Sequence, residues 1–290
     1  MGGAHMARLG FVGAGLMGHG MAANLLKAGH GVRVIAHCNR APVDDLLGRG
    51  ATEVRTLAEM PLGLDAIFLC VTGTPQVDEV ITAIEPSLAG GQLIVDTSTT
   101  EPDATLRFAE QLARRGVRLV DAPIGGGAQQ AEAGELSSMV GASDADFTVV
   151  EPWLRATSKT VQHMGPVGSG HRAKLLNNMI SLGYVALIVE AYRIARAEGI
   201  DWAKLYAINM GGAARSATLE RMLPPAMEGD FGAYKFTTQN ADKDLSYLME
   251  FARRQGHAAT LAEPLRDFFR AAAEAHGASA MLSELLATRQ

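Results

Sequence analysis

The run Leu9-Gly10-Phe11-Val12-Gly13-Ala14-Gly15-Leu16-Met17-Gly18 sets an apolar strand directly ahead of a G-x-G-x-x-G turn, and a helix-forming stretch from Met21 to Lys27 follows. Each glycine has a physical reason. Gly13 permits the tight strand-to-helix turn, Gly15 lets the backbone touch a pyrophosphate, and Gly18 lets the helix pack closely on the strand. The first N–H groups of the helix then hold the anion. The spacing alone is common in glycine-rich turns. Strand, helix and near-terminal position together make Gly13, Ala14, Gly15, Leu16, Met17 and Gly18 a candidate dinucleotide site.

Through the first half, short apolar runs alternate with helical segments. Val32 to Ala36, Ala66 to Val71, Leu93 to Val95, Arg118 to Val120 and Ser138 to Val140 read as strands. Pro42 to Gly48, Gln76 to Ile84, Ala104 to Arg115 and Ala145 to Ala156 read as helices. That alternation predicts a parallel, doubly wound α/β sheet of Rossmann type with right-handed crossovers. The pattern changes at Gly165-Pro166-Val167-Gly168-Ser169-Gly170. From His171 to about Glu198 the residues Leu175, Leu176, Met179, Leu182, Ala186, Val189 and Tyr192 recur at helical spacing. Beyond it Asp201 to Met210, Ala217 to Met222, Asp242 to Gln255, Ala262 to His276 and Met281 to Thr288 all read as helices. The expected domains are therefore 6–167, binding the dinucleotide, and 168–290, a long connecting helix with an all-helical remainder.

Composition excludes several classes. The chain of 290 residues is 48% apolar and 20% charged, ample for a core in two domains. Its net charge of −5 and lack of a basic stripe argue against nucleic acid. The longest apolar run, Met179 to Val189, falls well short of the about 20 residues a bilayer requires, so no membrane partner is expected. Cys38 and Cys70 read as reduced thiols, and the histidines lack metal-ligand spacing. Met1 to His5 reads as an expression remnant with the natural start at Met6, and the absence of a leader makes the cytoplasm the expected compartment.

Three further segments carry chemistry. Asp121-Ala122-Pro123-Ile124-Gly125-Gly126-Gly127 ends a strand, where ligands of open α/β sheets sit, and consecutive glycines can nest a carboxylate. In Gly168-Ser169-Gly170-His171-Arg172-Ala173-Lys174-Leu175-Leu176-Asn177-Asn178, Lys174 and Asn178 share a helix face. A lysine beside a cofactor can protonate a carbonyl oxygen as hydride arrives, and burial there would lower its pKa toward neutrality. Asp242-Lys243-Asp244-Leu245 opens the predicted C-terminal helix, where acids favour the dipole.

With these landmarks in order, the chain from Met6 onward resembles the β-hydroxyacid dehydrogenase family, which includes 3-hydroxyisobutyrate dehydrogenase and tartronate semialdehyde reductase. The resemblance implies that Lys174 is the acid/base and that Asn178 orients substrate. It also implies that Gly125, Gly126 and Gly127 bind the substrate's acid group and that Lys243 lies at the cofactor and active-site cleft. Val71-Thr72 and Thr97-Ser98 match positions lining the cofactor. It further implies a homodimer or homotetramer built through the long helix and helical second domain.

Two departures bear on specificity. Gly125 stands where the family usually has Ser, so the acid group would rest on the N–H groups of Gly126 and Gly127. An NAD enzyme carries Asp or Glu about 20 residues beyond the first glycine. Here the position is Ala36, followed by His37-Cys38-Asn39-Arg40, which favours a 2′-phosphate and hence NADP, with NAD possible. The expected function is hydride transfer between NADP(H) and a small 3-hydroxy acid or semialdehyde, a small-molecule carboxylate. An imine reductase is the alternative, although such enzymes generally lack the lysine. A 6-phosphogluconate dehydrogenase would be longer. A non-catalytic nucleotide-sensing scaffold would not require lysine, asparagine and glycine loop together. Substrate size selection is expected around Arg215-Ser216 and Tyr234 to Phe236, where simple rules give nothing.

Overall fold

The computed structural model describes residues 6–287; the expected remnant Met1–His5 and the end of the expected final helix, Thr288, lie outside them. The division between two compact units falls between Lys174 and Leu175.

The first unit follows the alternation of the sequence. It comprises β1 (Arg8–Val12), α1 (Gly18–Lys27), β2 (Gly31–Val34), α2 (Ala41–Gly48), β3 (Thr52–Glu53), β4 (Ala66–Leu69), α3 (Thr74–Ile84), β5 (Leu93–Asp96) and α4 (Pro102–Ala113). It continues with β6 (Arg118–Asp121), β7 (Ile124–Gly125), α5 (Ala128–Ala133), β8 (Leu136–Gly141), α6 (Asp144–Thr157) and β9 (Ser158–Gly165). The sheet order is β3-β2-β1-β4-β5-β6-β8-β7, with β9 beside β8. Strands β1 to β6 pair in parallel, whereas β8 runs antiparallel to β6 and β7. The expected all-parallel sheet is thus mixed at this edge. Between β6 and β8 the chain forms the short strand β7, which turns back through α5 and pairs antiparallel with β8. The central strands bury both faces. Leu9, Phe11, Phe68 and Val95 enter one core with Met21, Leu25 and Trp153, while Ile67, Leu69 and Ile94 enter the other with Val77, Ile81 and Phe108.

The second unit is helical: α7 (Ser169–Ala197), whose first turns belong to the first unit, then α8 (Trp202–Met210), α9 (Ala217–Met227), α10 (Thr238–Arg254) and α11 (Ala262–His276). The expected helix at Met281 to Thr288 is a short 3₁₀ segment, Leu282–Leu286. Helix α10 begins four residues before Asp242, because the Thr237 hydroxyl accepts the Asn240 N–H and caps it there. Asp242 therefore lies in the second turn, beyond the dipole's reach, and pairs with Arg266 of α11 at 3.0 Å. At 29 residues α7 is long and apolar enough by composition to cross a membrane, which the apolar-run argument did not anticipate. One side of it, Leu175, Leu182, Val185, Val189 and Tyr192, is buried with Leu219, Met222, Leu245 and Phe269.

Candidate active site

Register aligns the carboxyl ends of the central strands. Val12 pairs with Leu69, Leu69 with Asp96, and Asp96 with Asp121. The segments that follow, Gly13–Gly18, Cys70–Thr72, Thr97–Ser98 and Ala122–Gly127, therefore leave the sheet along one edge.

At that edge the glycine turn is sterically dictated. Gly13 has φ +100°, and a Cβ there would lie 2.2 Å from the Cys70 carbonyl oxygen. A Cβ on Gly18 would lie 2.0 Å from the Gly13 carbonyl oxygen. On Gly15 it would meet no atom within 4 Å, so the outer side of the loop is open and the residues fit a pyrophosphate. The Val71 N–H donates to Ser98 Oγ at 3.0 Å, locking these two strand-end segments together. Thr97 is turned inward, with its hydroxyl donating to the Leu69 carbonyl at 2.7 Å. Thr72 is exposed. Burial pushes the Cys70 thiol up to about 11, leaving it unreactive at neutral pH.

After β2, the residues His37, Asn39 and Arg40 are exposed. Asn39 Oδ1 accepts the Ala41 N–H, starting α2. Arg40 is engaged by acids: its two terminal nitrogens each lie 2.9 Å from a Glu53 oxygen, and its Nε lies 3.0 Å from Asp44. Hydrogen bonding to Arg40 holds the Glu53 carboxyl below its usual range. Local spacing misses Glu53, because it arrives from the neighbouring strand β3.

In the glycine loop a Cβ at Gly125 would make only ordinary contacts, 3.8 Å from Met139 and 3.9 Å from Ser137. Gly126 has φ +130° and would clash with Leu136. The Gly127 N–H is committed to Gln130 Oε1 at 3.0 Å, since the third residue of α5 folds back on its cap. This corrects the expectation that Gly127 offers its N–H to an acid group.

Lys174 and Asn178 occupy successive turns of α7, and both side chains are buried rather than solvated. Asn178 Nδ2 donates to Asp244 Oδ2 at 2.6 Å, which fixes the amide's flip because a carboxylate only accepts. Lys243 Nζ lies 3.1 Å from the other oxygen of Asp244 and 5.4 Å from the Tyr247 ring centroid. Asp244 was legible only as a charge in a helix turn; its bond to Asn178 spans 66 residues. Around the expected size-selecting segment, Ser216 caps α9 and Arg215 pairs with Glu220 at 3.0 Å.

Residues 8–165 match the NAD binding domain of 6-phosphogluconate dehydrogenase, and residues 168–288 match the NAD-binding family of NADP-dependent 3-hydroxyisobutyrate dehydrogenase. The chain is 37% identical over 217 residues to 2-hydroxy-3-oxopropionate reductase of Escherichia coli, covering 73% of each chain. It is 33% identical over 256 residues to 2-(hydroxymethyl)glutarate dehydrogenase of Eubacterium barkeri, covering 86% of this chain and 83% of that one. The structure of 3-hydroxyisobutyrate dehydrogenase from Salmonella typhimurium superposes with a TM-score of 0.88 at 26% identity, covering 97% and 99%. An imine reductase of Pseudomonas shares the fold more distantly, with a TM-score of 0.63 at 17% identity. With the glycine turn, the strand-end row and the α7 pair in place, this chain belongs to the β-hydroxyacid dehydrogenase family and is an NAD(P)-dependent hydroxyacid dehydrogenase.

Proposed function

We propose that the protein is an NADP-preferring enzyme that interconverts a small 3-hydroxy acid and its semialdehyde, with Lys174 as the acid/base. Residues 6–167 serve as the NADP-binding domain and 168–290 as the connecting helix and all-α domain. Gly13 to Gly18 hold the pyrophosphate, with Val71, Thr72, Thr97 and Lys243 along the cofactor and His37, Asn39 and Arg40 at the ribose. The bound nicotinamide exchanges a hydride with the carbonyl carbon. Lys174 delivers a proton to the carbonyl oxygen in reduction and takes it from the hydroxyl in oxidation. Asn178 holds that oxygen, and Gly125 and Gly126 receive the acid group, with Gly127 setting the loop. The observation that carries this reading is that Lys174 and Asn178, both buried, stand four residues apart on α7, with the Asn178 amide locked by Asp244.

Lys174→Ala tests it. The variant is expected to lower kcat by roughly 10²–10⁴, the worth of a positioned acid/base, with NADPH affinity little changed. Turnover within threefold of wild type removes Lys174 from the mechanism. The substrate panel follows the relatives' names: 2-hydroxy-3-oxopropionate, 3-hydroxyisobutyrate and 2-(hydroxymethyl)glutarate, read at the reduced-nicotinamide absorbance. Cyclic imines in the same panel test the imine reductase reading, which the lysine disfavours. We further propose a cytoplasmic homodimer or homotetramer, the oligomer supported by an apolar stripe on α7.

A further inference from the structure

Beneath the first turn of α7 lies a polar cluster for which the hydride-transfer chemistry has no use. His171 is fully buried, with Nδ1 2.7 Å from Thr105 Oγ1 and Nε2 3.2 Å from the Ser98 carbonyl oxygen. Two carboxylates flank the ring. Asp96 Oδ2 lies 3.7 Å from Nε2 and Asp121 Oδ2 3.7 Å from Nδ1, each acid nearly or wholly buried. Asp121 also accepts the Gly168 N–H at 2.6 Å and the His171 N–H at 2.8 Å, gathering two backbone donors from the start of α7. Burial pushes the Asp121 carboxyl up, against the pull of His171 and these N–H donors. Asp96 in turn accepts the Ser98 N–H at 2.9 Å and the Thr100 hydroxyl at 2.7 Å.

Glycines bring the helix close enough for this. A Cβ on Gly170 would lie 2.3 Å from the Met139 carbonyl oxygen, and one on Gly141 would lie 2.3 Å from Asp121 Oδ1. The first turn of α7 is therefore clamped by β5, β6, β8 and α4 at once. Three residues on, and so on the same helix face, stands Lys174.

We propose that His171, held between Asp96 and Asp121, is a positioning residue that sets the rotation of α7 and thereby the place of the Lys174 amine. This rests on the acid/base reading of Lys174. The geometry makes the coupling steep. A side-chain tip about 6 Å from a helix axis moves by about 1 Å when the helix turns by roughly 10°. A displacement of about 1 Å at a reacting group can cost on the order of 100-fold in rate.

Two variants test it. His171→Gln keeps polar capacity in similar volume, and Thr105→Val removes only the hydroxyl facing Nδ1, leaving both carboxylates beside the ring. Each is made in the wild-type and Lys174→Ala backgrounds and assayed with NADPH and 2-hydroxy-3-oxopropionate, alongside NADPH binding by calorimetry. Acetic anhydride labelling of the apo enzyme, read by mass spectrometry, reports Lys174 against exposed Lys159 without substrate. The expected result for His171→Gln is a 10- to 100-fold fall in kcat with the lysine present and under threefold without it. NADPH Kd should stay within twofold, and the Lys174/Lys159 labelling ratio should change by threefold or more. Thr105→Val should shift kcat and labelling in the same direction by less. An equal fall in both backgrounds, or an unchanged labelling ratio in both variants, overturns the proposal. If Lys174→Ala itself is active, the acid/base reading fails while the labelling ratio still decides whether His171 positions the amine.

Discussion

At the scale of single residues, the proposed NADP site makes cofactor choice a competition around Arg40. Its guanidinium already makes a two-pronged pair with Glu53, so a 2′-phosphate has to share or displace that partner. NADPH is expected to bind more tightly than NADH. Arg40→Ala should erase most of a preference of roughly 10- to 100-fold, the worth of a charge-assisted contact, and added salt should weaken it. Glu53→Gln should instead strengthen NADPH binding by about threefold or more while leaving NADH unchanged. Calorimetry on the three proteins checks this, and equal affinity of wild type for the two cofactors would refute it. Gly125 carries a second choice. The space beside it accepts a Cβ without displacement, so Gly125→Ser is expected to fold as wild type does. If the loop holds the acid group as proposed, then with Gly127 committed to Gln130 the missing hydroxyl leaves that group one neutral hydrogen bond short, about 0.5–1.5 kcal/mol. A bulkier substrate offsets that with added contacts. The serine variant should therefore raise kcat/KM for three-carbon acids and lower it for the preferred substrate; a uniform change across the panel would make the position neutral.

At the scale of elements, the segments with strong periodicity were legible and those defined by partners were not. Strand β4 and helix α11 follow directly from apolar spacing. Strand β9, Ser-Lys-Thr-Val-Gln-His-Met-Gly, alternates too little to be seen and exists because β8 offers it a ladder. Helix α9 runs past the expected end at Met222 through Pro224 and Pro225, held by Leu219, Met222, Leu223 and Ala226 in the core. The candidate site divides the same way: its glycine turn and α7 pair are local patterns, whereas Glu53, Asp244 and the Asp121–His171 bond cross between elements. His19 is another such link, invisible in sequence. From α1 its Nδ1 lies 2.6 Å from Glu132 of α5 and its Nε2 lies 2.7 Å from Asp45 of α2, which also holds Arg49. Burial opposes charging the ring, but hydrogen bonds to the two carboxylates prevail and raise its pKa. A raised histidine contributes stability that is complete below its ordinary value of about 6.5 and is lost as pH rises through the folded value. Wild type should thus lose roughly 1–3 °C of Tm relative to His19→Asn between pH 6 and pH 9. Parallel melting curves across that range would show that the bridge contributes nothing.

At the scale of the whole molecule, the second unit leaves a side of α7 uncovered. Leu176, Ile180, Tyr184, Leu187 and Ile194 recur at helical spacing along one stripe, and each is 44–66% exposed. A contiguous apolar stripe of this length is unusual on a monomer, and it is the surface that the proposed oligomer would cover. The opposite side is committed to the core with Leu219, Leu245 and Phe269, so α7 cannot be lipid-facing all round. A second copy presenting the same stripe satisfies it symmetrically, since a two-fold contact sets identical patches face to face. Each large side chain fully buried there contributes roughly 1.5–3 kcal/mol, enough in sum to offset the entropy of association. Light scattering after gel filtration at about 10 μM should therefore give at least twice the chain mass. Leu187→Glu with Ile180→Glu, placing charge in the middle of the stripe, should give a monomer with an unchanged far-ultraviolet circular dichroism spectrum. Flotation with lipid vesicles separates the other occupant: co-flotation of wild type but not of the double variant, with a monomeric mass in solution, would assign the stripe to a membrane and reject the dimer.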